Sequence, residues 1–332
     1  MAPVATLSSL TLATSSLVVS VRSGDARALA RAISIIENRL PESAALLKAL
    51  FPHSGKASVI GLTGAPGAGK STLVDQLAKH YRNQNHQTVG IIAVDPTSPY
   101  TGGAILGDRI RMQDHHADSG IFIRSMATRG SLGGLARTTA DVATVLDASG
   151  RERILIETVG VGQDEIEIVR LADVTVVILV PGMGDDVQTI KAGIMEIADI
   201  FVINKSDREG AERVEREIRA MQSLAIRTDR WTPPVVKTVA SEGLGTRELA
   251  EAIDEYEEYL KKENLLLQKN AQNWRERLIE MLRDAMLERV RAQIDDASLD
   301  RYAVEIAEHQ RDPYSLVEEI VAGLAKARIA KS

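Results

Sequence analysis

Residues 64–71 read Gly-Ala-Pro-Gly-Ala-Gly-Lys-Ser and directly follow the short apolar run Val59–Leu62. A strand that leads into G-x-x-x-x-G-K-[ST] and then into a helix is the phosphate-binding loop pattern. The glycines let backbone N–H groups turn inward, and a helix from Thr72 would add the positive end of its dipole. The residues predicted to surround a phosphate are Gly64, Gly67, Ala68, Gly69, Lys70, Ser71 and Thr72.

Two side chains of this loop have separate expected roles. Lys70 is predicted to reach the β- and γ-phosphates of a nucleotide and to act as a catalytic residue. The hydroxyl of Ser71 is predicted to bind Mg²⁺. Both expectations depend on the strand–loop–helix context that the flanking sequence predicts.

A second motif indicates which base is bound. Asn204-Lys-Ser-Asp207 follows the run Ile200–Ile203 and matches the N-K-x-D pattern of guanine-specific proteins. The Asp207 carboxylate can accept hydrogen bonds from the ring N–H and the exocyclic amine of guanine, a donor pair that adenine lacks. Asn204 is expected to brace the loop, and the Lys205 stem to lie over the base. GTP and GDP are therefore the predicted ligands.

A weaker signal follows the run Val235–Val239. Ala240 and Ser241 come directly after it, where a backbone N–H could meet the guanine oxygen. Because the alignment could shift by one residue, both Ala240 and Ser241 are candidates for this backbone donor.

Residues for Mg²⁺ and the γ-phosphate are expected between these motifs. Glu157 follows the run Ile154–Ile156, and Gly160 could sense the γ-phosphate through its amide. Asp95 and Asp108 are further candidate magnesium ligands, and both Asp108 and Glu157 are candidate catalytic residues. Mg²⁺ usually takes few carboxylates beside water and phosphate oxygens, so not all of these acids can be direct ligands.

The order of apolar runs predicts the fold class. Seven short β-branched runs alternate with helical stretches from Ser58 onward, which is typical of a mostly parallel α/β sheet buried on both faces. Helices flank this predicted P-loop GTPase domain, so we expect an N-terminal helical extension at 1–55, the GTPase domain at 56–255 and a C-terminal helical arm at 256–332.

Three helical patterns lie in these flanks. Apolar residues from Leu29 to Leu40 recur at helical spacing, with Asp25 as the N-cap. The stretch Leu265–Ile294 has an apolar stripe that must pack against its own domain or a second copy. A last helix is predicted to begin at Asp312-Pro313. The residues of the long stripe are Ala271, Trp274, Leu278, Leu282, Met286 and Val290.

Composition excludes several classes of protein. The net charge is −6 and there are only three Phe, two Trp and six Tyr, which disfavours nucleic-acid binding. The chain has no Cys, so it has no thiolate metal site and no Cys nucleophile. No apolar run approaches the ~20 residues of a membrane helix. The Ser/Thr-rich start has only Arg22 as a base, so we expect a cytoplasmic rather than a mitochondrial matrix protein.

Longer phrases between the general motifs carry a specific resemblance. Residues 64–72, 94–99, 102–109, 122–130 and 157–163 are similar to the corresponding phrases of MeaB/ArgK-type GTPases. These are G-protein chaperones of adenosylcobalamin-dependent acyl-CoA mutases. The similarity extends from residue 25 to about residue 300.

This resemblance implies partners and further residues. It implies a homodimer built partly by the C-terminal arm, a partner mutase whose cobalamin loading and reactivation are gated by GTP, and an adenosyltransferase as a further candidate partner. A loop at 182–193 would couple the mutase to the nucleotide through Asp185, Gln188 and Lys191, of which Asp185 and Lys191 are catalytic candidates. Arg111 is carried over as a nucleotide or switch residue.

The rate of hydrolysis can also be anticipated. Val161 follows Gly160 where Ras-like enzymes have the Gln that orients the attacking water. Hydrolysis by the chain alone should therefore be slow and should be stimulated by the partner mutase.

Two other functions are compatible with a phosphate loop. One is a metallochaperone GTPase, which the lack of Cys disfavours. The other is a P-loop kinase, which the guanine motif and the absence of an evident general base disfavour.

Overall fold

A computed structural model describes residues 12–95, 118–127, 134–158, 171–182, 197–224 and 230–329. The chain divides into two compact units, Met1–Asn270 and Ala271–Ser332. The strands are β1 (Ser58–Gly64), β2 (Val89–Asp95), β3 (Ile121–Ala127), β4 (Arg153–Glu157), β5 (Val174–Leu179), β6 (Ile200–Asn204) and β7 (Val235–Thr238). The helices of the first unit are α1 (Leu12–Arg22), α2 (Ala26–Glu37), α3 (Ser43–Leu50), α4 (Lys70–Asn85), α5 (Gly134–Ala148), α6 (Ala211–Leu224) and α7 (Thr246–Lys262). Three further helices follow, α8 (Leu265–Arg291), α9 (Asp296–Ala307) and α10 (Pro313–Ile329).

The seven strands form one parallel sheet in the order β3-β2-β4-β1-β5-β6-β7. Each predicted apolar run overlaps one of these strands, which confirms the α/β prediction, although two of the runs extend one residue beyond the strand. The central strand β1 has β4 on one side and β5 on the other, so Gly61 is in register with Ile156 and Thr175. Because all strands are parallel, their carboxyl ends meet at one edge of the sheet, where ligands bind in such folds.

The sheet is buried on both faces, as the continuous apolar runs predicted. Alternate residues of a strand point to opposite faces. In β4, Leu155 belongs to the core cluster with α4 and α7, whereas Ile154 and Ile156 belong to the cluster with α1, α2, α3 and α5. A third cluster joins β5 and β6 to α6.

The N-terminal helices form part of the second core. The Asp25 side chain accepts a hydrogen bond from the Ala28 N–H (2.7 Å) and caps α2 as predicted. The prediction that Leu40 continues the apolar stripe is wrong, because α2 ends at Glu37 and Leu40 is 39% exposed. The reason is the left-handed backbone of Arg39 (φ 48°), which turns the chain before Pro41.

The helix α8 confirms the long predicted helix, but its apolar stripe is not buried within the described chain. Trp274, Leu278, Leu282 and Met286 are 41%, 54%, 57% and 49% exposed. An apolar face this large on a long helix is typical of an interaction surface. Among the described residues, no helix is both long and apolar enough to cross a membrane.

The last helix starts where the sequence predicts. The Asp312 side chain accepts a hydrogen bond from the Ser315 N–H (2.8 Å), and Pro313 is the first residue of α10. Proline is favoured there because its missing N–H would have had no partner in the first helical turn.

Candidate nucleotide site

The loop between β1 and α4 has the geometry of a phosphate cradle. Helix α4 begins at Lys70, two residues before the expected Thr72. Gly69 has φ 90°, and a Cβ built on it would lie 2.3 Å from the Asn204 Nδ2 atom. Only glycine therefore fits at this position without moving Asn204.

Lys70 lies inside the curve of this loop. Its Nζ donates to the carbonyl oxygens of Gly64 (2.8 Å) and Ala65 (3.1 Å), and its side chain is buried. The buried cation and the amino end of α4 together make the loop an electropositive site suited to an anion.

Asn204, at the end of β6, connects two loops across the site. Its Nδ2 donates to the Ala68 carbonyl oxygen (2.7 Å) in the phosphate loop. Its Oδ1 accepts from the Thr238 hydroxyl (3.0 Å) and from the Ala240 N–H (3.1 Å) after β7. The side chain is almost fully buried, so these bonds have little competition from water.

The rest of the second motif lies beside the same loop. Lys205 has a left-handed backbone (φ 56°), and its Nζ donates to the Gly67 carbonyl oxygen (2.8 Å). The Ser206 N–H donates to the Thr238 carbonyl oxygen (3.1 Å). These contacts fix the turn. The side chain of Asp207, which lies at the end of the turn, is exposed to solvent.

The structure separates the two candidate backbone donors after β7. The Ala240 N–H is already donated to Asn204, whereas Ser241 is the next residue of the short 3₁₀ turn Ala240–Glu242. If Ser241 is the residue that donates its N–H to a base, Asn204 can therefore keep its bond to Ala240.

A hydroxyl and a carboxylate meet on the other side of the loop. Ser71 Oγ donates to Oε1 of the buried Glu157 (2.6 Å), which ends β4 next to β1. Hard oxygen ligands of this kind fit Mg²⁺. Within the described part of the chain there is no group of three or more His, Cys, Asp or Glu side chains that could hold a metal ion.

Two threonines that no motif singled out support this edge. Thr158 donates through its N–H to the Leu62 carbonyl oxygen (3.2 Å) and through Oγ1 to Thr63 Oγ1 (3.2 Å). They join the end of β4 to the end of β1 just before the phosphate loop. Thr158 lies in the phrase 157–163 and Thr63 directly precedes the phosphate loop, but neither was predicted as a site residue.

Several predicted residues are not placed by the structure. Asp95 is the last residue of β2, but its side chain is not among those described. The predicted residues that lie outside the described residues are Asp108, Arg111, Gly160, Asp185, Gln188 and Lys191.

Comparison with known proteins gives the family. Residues 29–295 match the family described as methylmalonyl-CoA mutase-associated GTPase MeaB. The chain belongs to the MeaB family. This confirms the resemblance that the phrases around the phosphate loop indicated, and it makes the chain a member of a family of P-loop GTPases.

Two relatives of this MeaB-family chain have GTPase names, and one solved structure has a similar fold. A protein of Pyrococcus abyssi that carries a GTPase name is 46% identical over 316 residues, which are 92% of this chain and 97% of that protein. The GTPase ArgK of Escherichia coli is 38% identical over 244 residues, 71% of this chain and 73% of ArgK. A solved structure titled as a LAO/AO transport system kinase superposes with a TM-score of 0.71 at 27% identity, over 95% of this chain and 99% of that one.

Proposed function

We propose that this MeaB-family protein binds and hydrolyses GTP and uses that cycle to control an adenosylcobalamin-dependent acyl-CoA mutase. The observation that carries the nucleotide part is the position of Asn204, which holds the phosphate loop and the loop after β7 together. A nucleotide could contact both loops, with its phosphates in the phosphate loop and its base beside the loop after β7. The mutase part is supported by the description of the family.

Each described residue has a role in this proposal. Lys70 would leave the Gly64 and Ala65 carbonyls to bind the β- and γ-phosphates, while the loop N–H groups surround them. Ser71 and Glu157 would hold Mg²⁺, with Asp95 and Asp108 as further ligands. Bound there, Mg²⁺ supplies charge that stabilises the phosphates.

The base would lie between Lys205 and Asp207 on one side and Ser241 on the other. Asp207 would accept from the two guanine donors, and the Ser241 N–H would donate to the guanine oxygen. Because Ala240 is committed to Asn204, we propose Ser241 as the residue that contacts the base.

The resemblance supplies the remaining proposed residues. Gly160 and Arg111 would respond to the γ-phosphate, and Asp185, Gln188 and Lys191 would transmit its presence to the mutase. Because Val161 follows Gly160, we propose slow hydrolysis without a partner and faster hydrolysis with it. We also propose a cytoplasmic location.

Replacing Asp207 with alanine should change nucleotide preference. The wild type should prefer GDP over ADP by about a thousandfold or more, because adenine would cover the Asp207 carboxylate without giving it the two donors that guanine offers. The variant should lose about a hundredfold in GDP affinity with little change for ADP. Titration of fluorescent nucleotides measures both constants, and equal GDP and ADP affinities in the wild type would contradict the guanine assignment.

The partner proposal is tested by adding purified acyl-CoA mutases. The cognate mutase should co-elute with the GTP-bound protein and should raise its hydrolysis rate about tenfold or more, as partner proteins do for other slow GTPases. Phosphate release and size-exclusion chromatography measure the two effects. Failure of methylmalonyl-, isobutyryl- and 2-hydroxyisobutyryl-CoA mutases to do either would remove the chaperone proposal and leave the GTPase proposal standing.

We propose further that the exposed face of α8 joins two copies of the chain. A Leu278→Glu, Leu282→Glu double variant should be monomeric, because it places two charges in the middle of an apolar interface. Gln272→Glu, at an exposed polar position of the same helix, serves as the matched control and should remain dimeric. Light scattering gives the mass, and a monomeric wild type at micromolar concentration would refute the dimer.

One observation favours a kinase as the second candidate, because the structural relative at TM-score 0.71 is titled a transport system kinase. A GTPase transfers the γ-phosphoryl group to water, whereas a kinase transfers it to another molecule. Radiolabelled GTP should give free inorganic phosphate as its labelled product. Label that stays bound to a protein or small molecule would favour the kinase.

A further inference from the structure

A cavity of about 370 Å³ lies far from the phosphate loop. It is lined by Gly150, Arg151 and Glu152, which directly precede β4, and by the end of α5. Its other walls come from the end of α1 and from residues 53–56. The cavity is therefore at the amino ends of the strands, whereas the phosphate loop is at their carboxyl ends. The five residues of β4 separate the two by about 16 Å at 3.3 Å per residue.

Four basic side chains line this cavity, namely Arg22, His53, Lys56 and Arg151. Arg22 ends α1, His53 and Lys56 lie in the turn before β1, and Arg151 lies in the turn before β4. Within the described residues, none of these four side chains has a carboxylate partner within ion-pair distance. Three arginines of the same unit, Arg82, Arg124 and Arg153, do pair with acids.

The two acids of the cavity are turned to other donors. The Asp147 carboxylate accepts from the backbone N–H groups of Gly55, Lys56 and Ala57. Glu152 Oε2 accepts from the Thr88 N–H (2.9 Å) and the Thr88 hydroxyl (3.3 Å). Both carboxylates thus stabilise the local backbone. Their charges still offset part of the positive charge, so the lining keeps one net positive charge when His53 is neutral.

Arg151 differs from the other bases of the cavity because it is buried. It is only 6% exposed, and its Nη1 donates to the carbonyl oxygens of Ser119 (3.3 Å) and Gly120 (3.1 Å). Its buried Nε has no hydrogen-bond partner in the described part of the chain. Burial and the nearby Arg82 lower the pKa of Arg151. The charged form of its side chain is therefore disfavoured at this position.

We propose that this cavity binds a phosphate-bearing small molecule at a site separate from the GTP site. Several cations on three separate segments suit a phosphate, which offers three acceptor oxygens, better than a planar carboxylate. The volume is within the range of small-ligand pockets. Such a ligand would also link the N-terminal helices to the turn before β4, so its binding should raise the melting temperature.

Calorimetric titration with pyrophosphate in metal-free buffer tests the site. The Arg22→Gln, Lys56→Gln double variant changes only exposed side chains, and it should weaken binding about tenfold or more. The matched control, Arg216→Gln on the exposed face of α6, should bind like the wild type. Arg151→Met should also lose binding, and a thermal melt without ligand checks that this variant folds.

Two further arms distinguish the proposal from its alternatives. Lys70→Ala removes the phosphate-loop cation, so the pyrophosphate that this variant still binds, and that Arg22→Gln, Lys56→Gln binds more weakly, reports the cavity. Complete loss of binding in Lys70→Ala would show that pyrophosphate had occupied the GTP site alone. Succinate should bind more weakly than pyrophosphate, and equal or tighter binding would overturn the phosphate assignment. An unchanged affinity in the Arg22→Gln, Lys56→Gln variant would overturn the site itself, whatever the outcome for GTP hydrolysis.

Discussion

Replacing Lys70 with alanine should lower GTP hydrolysis by about a thousandfold, because it removes the cation closest to the phosphates. The Lys70 Nζ lies inside the phosphate loop, bonded to the Gly64 and Ala65 carbonyls. These bonds keep the amine within the loop, ready to exchange two carbonyl partners for phosphate oxygens. The Lys70 side chain is only 6% exposed, so solvent should not replace its charge when the residue is neutral.

The same variant should remain folded. The two lost hydrogen bonds cost on the order of 2 kcal/mol, which a domain of this size tolerates. Phosphate release under multiple turnover measures the activity, and circular dichroism checks the fold. Lys48→Ala, at an exposed position of α3, is the control and should hydrolyse GTP at the wild-type rate. Wild-type turnover by the Lys70 variant would refute the role of the loop.

Asn204→Ala should weaken both nucleotide binding and stability. It removes three hydrogen bonds from one buried side chain and leaves Ala68, Thr238 and Ala240 without their partner. Buried polar groups left unsatisfied cost about 1–3 kcal/mol each, so we expect a loss of about 3 kcal/mol in the free energy of unfolding. GDP affinity should fall about a hundredfold, since the two loops are no longer held at a fixed distance.

A graded series separates these contributions. Thr238→Val removes only the hydroxyl donor and should cost about 1 kcal/mol with a smaller loss of GDP affinity. Asn85→Ala, at the exposed end of α4, should change neither quantity by a measurable amount. Urea unfolding and fluorescent GDP titration give the two values for each variant. A loss of stability in Asn204→Ala without any loss of GDP affinity would contradict the bridging role.

The sequence predicted those parts of the structure that depend on local pattern. The β-branched runs predicted all seven strands, because buried parallel strands need apolar residues on both faces. Asp25 and Asp312 predicted helix starts, because a capping side chain bonds within its own turn. The phosphate-loop motif indicated the location of the site, since its spacing reflects the geometry of one short loop.

Contacts between distant segments could not be predicted in this way. The bond from Asn204 to Ala68 depends on β6 and β1 being two strands apart in the sheet, which no local spacing encodes. The proposal that Ser241, and not Ala240, contacts the base depends on the bond from the Ala240 N–H to Asn204, which no sequence pattern indicates. Leu40 does not continue the apolar stripe of α2, because the left-handed backbone of Arg39 turns the chain after the helix ends.

The strand order also has a consequence for synthesis on the ribosome. The central strand β1 pairs with β4 and β5, and the N-terminal helices share their core with Ile154 and Ile156. At about 5–20 residues per second, β1 would be synthesised roughly 5–20 s before β4. During that interval its apolar edge has no partner, so the nascent chain should depend on chaperones and should aggregate when synthesis stops before residue 157.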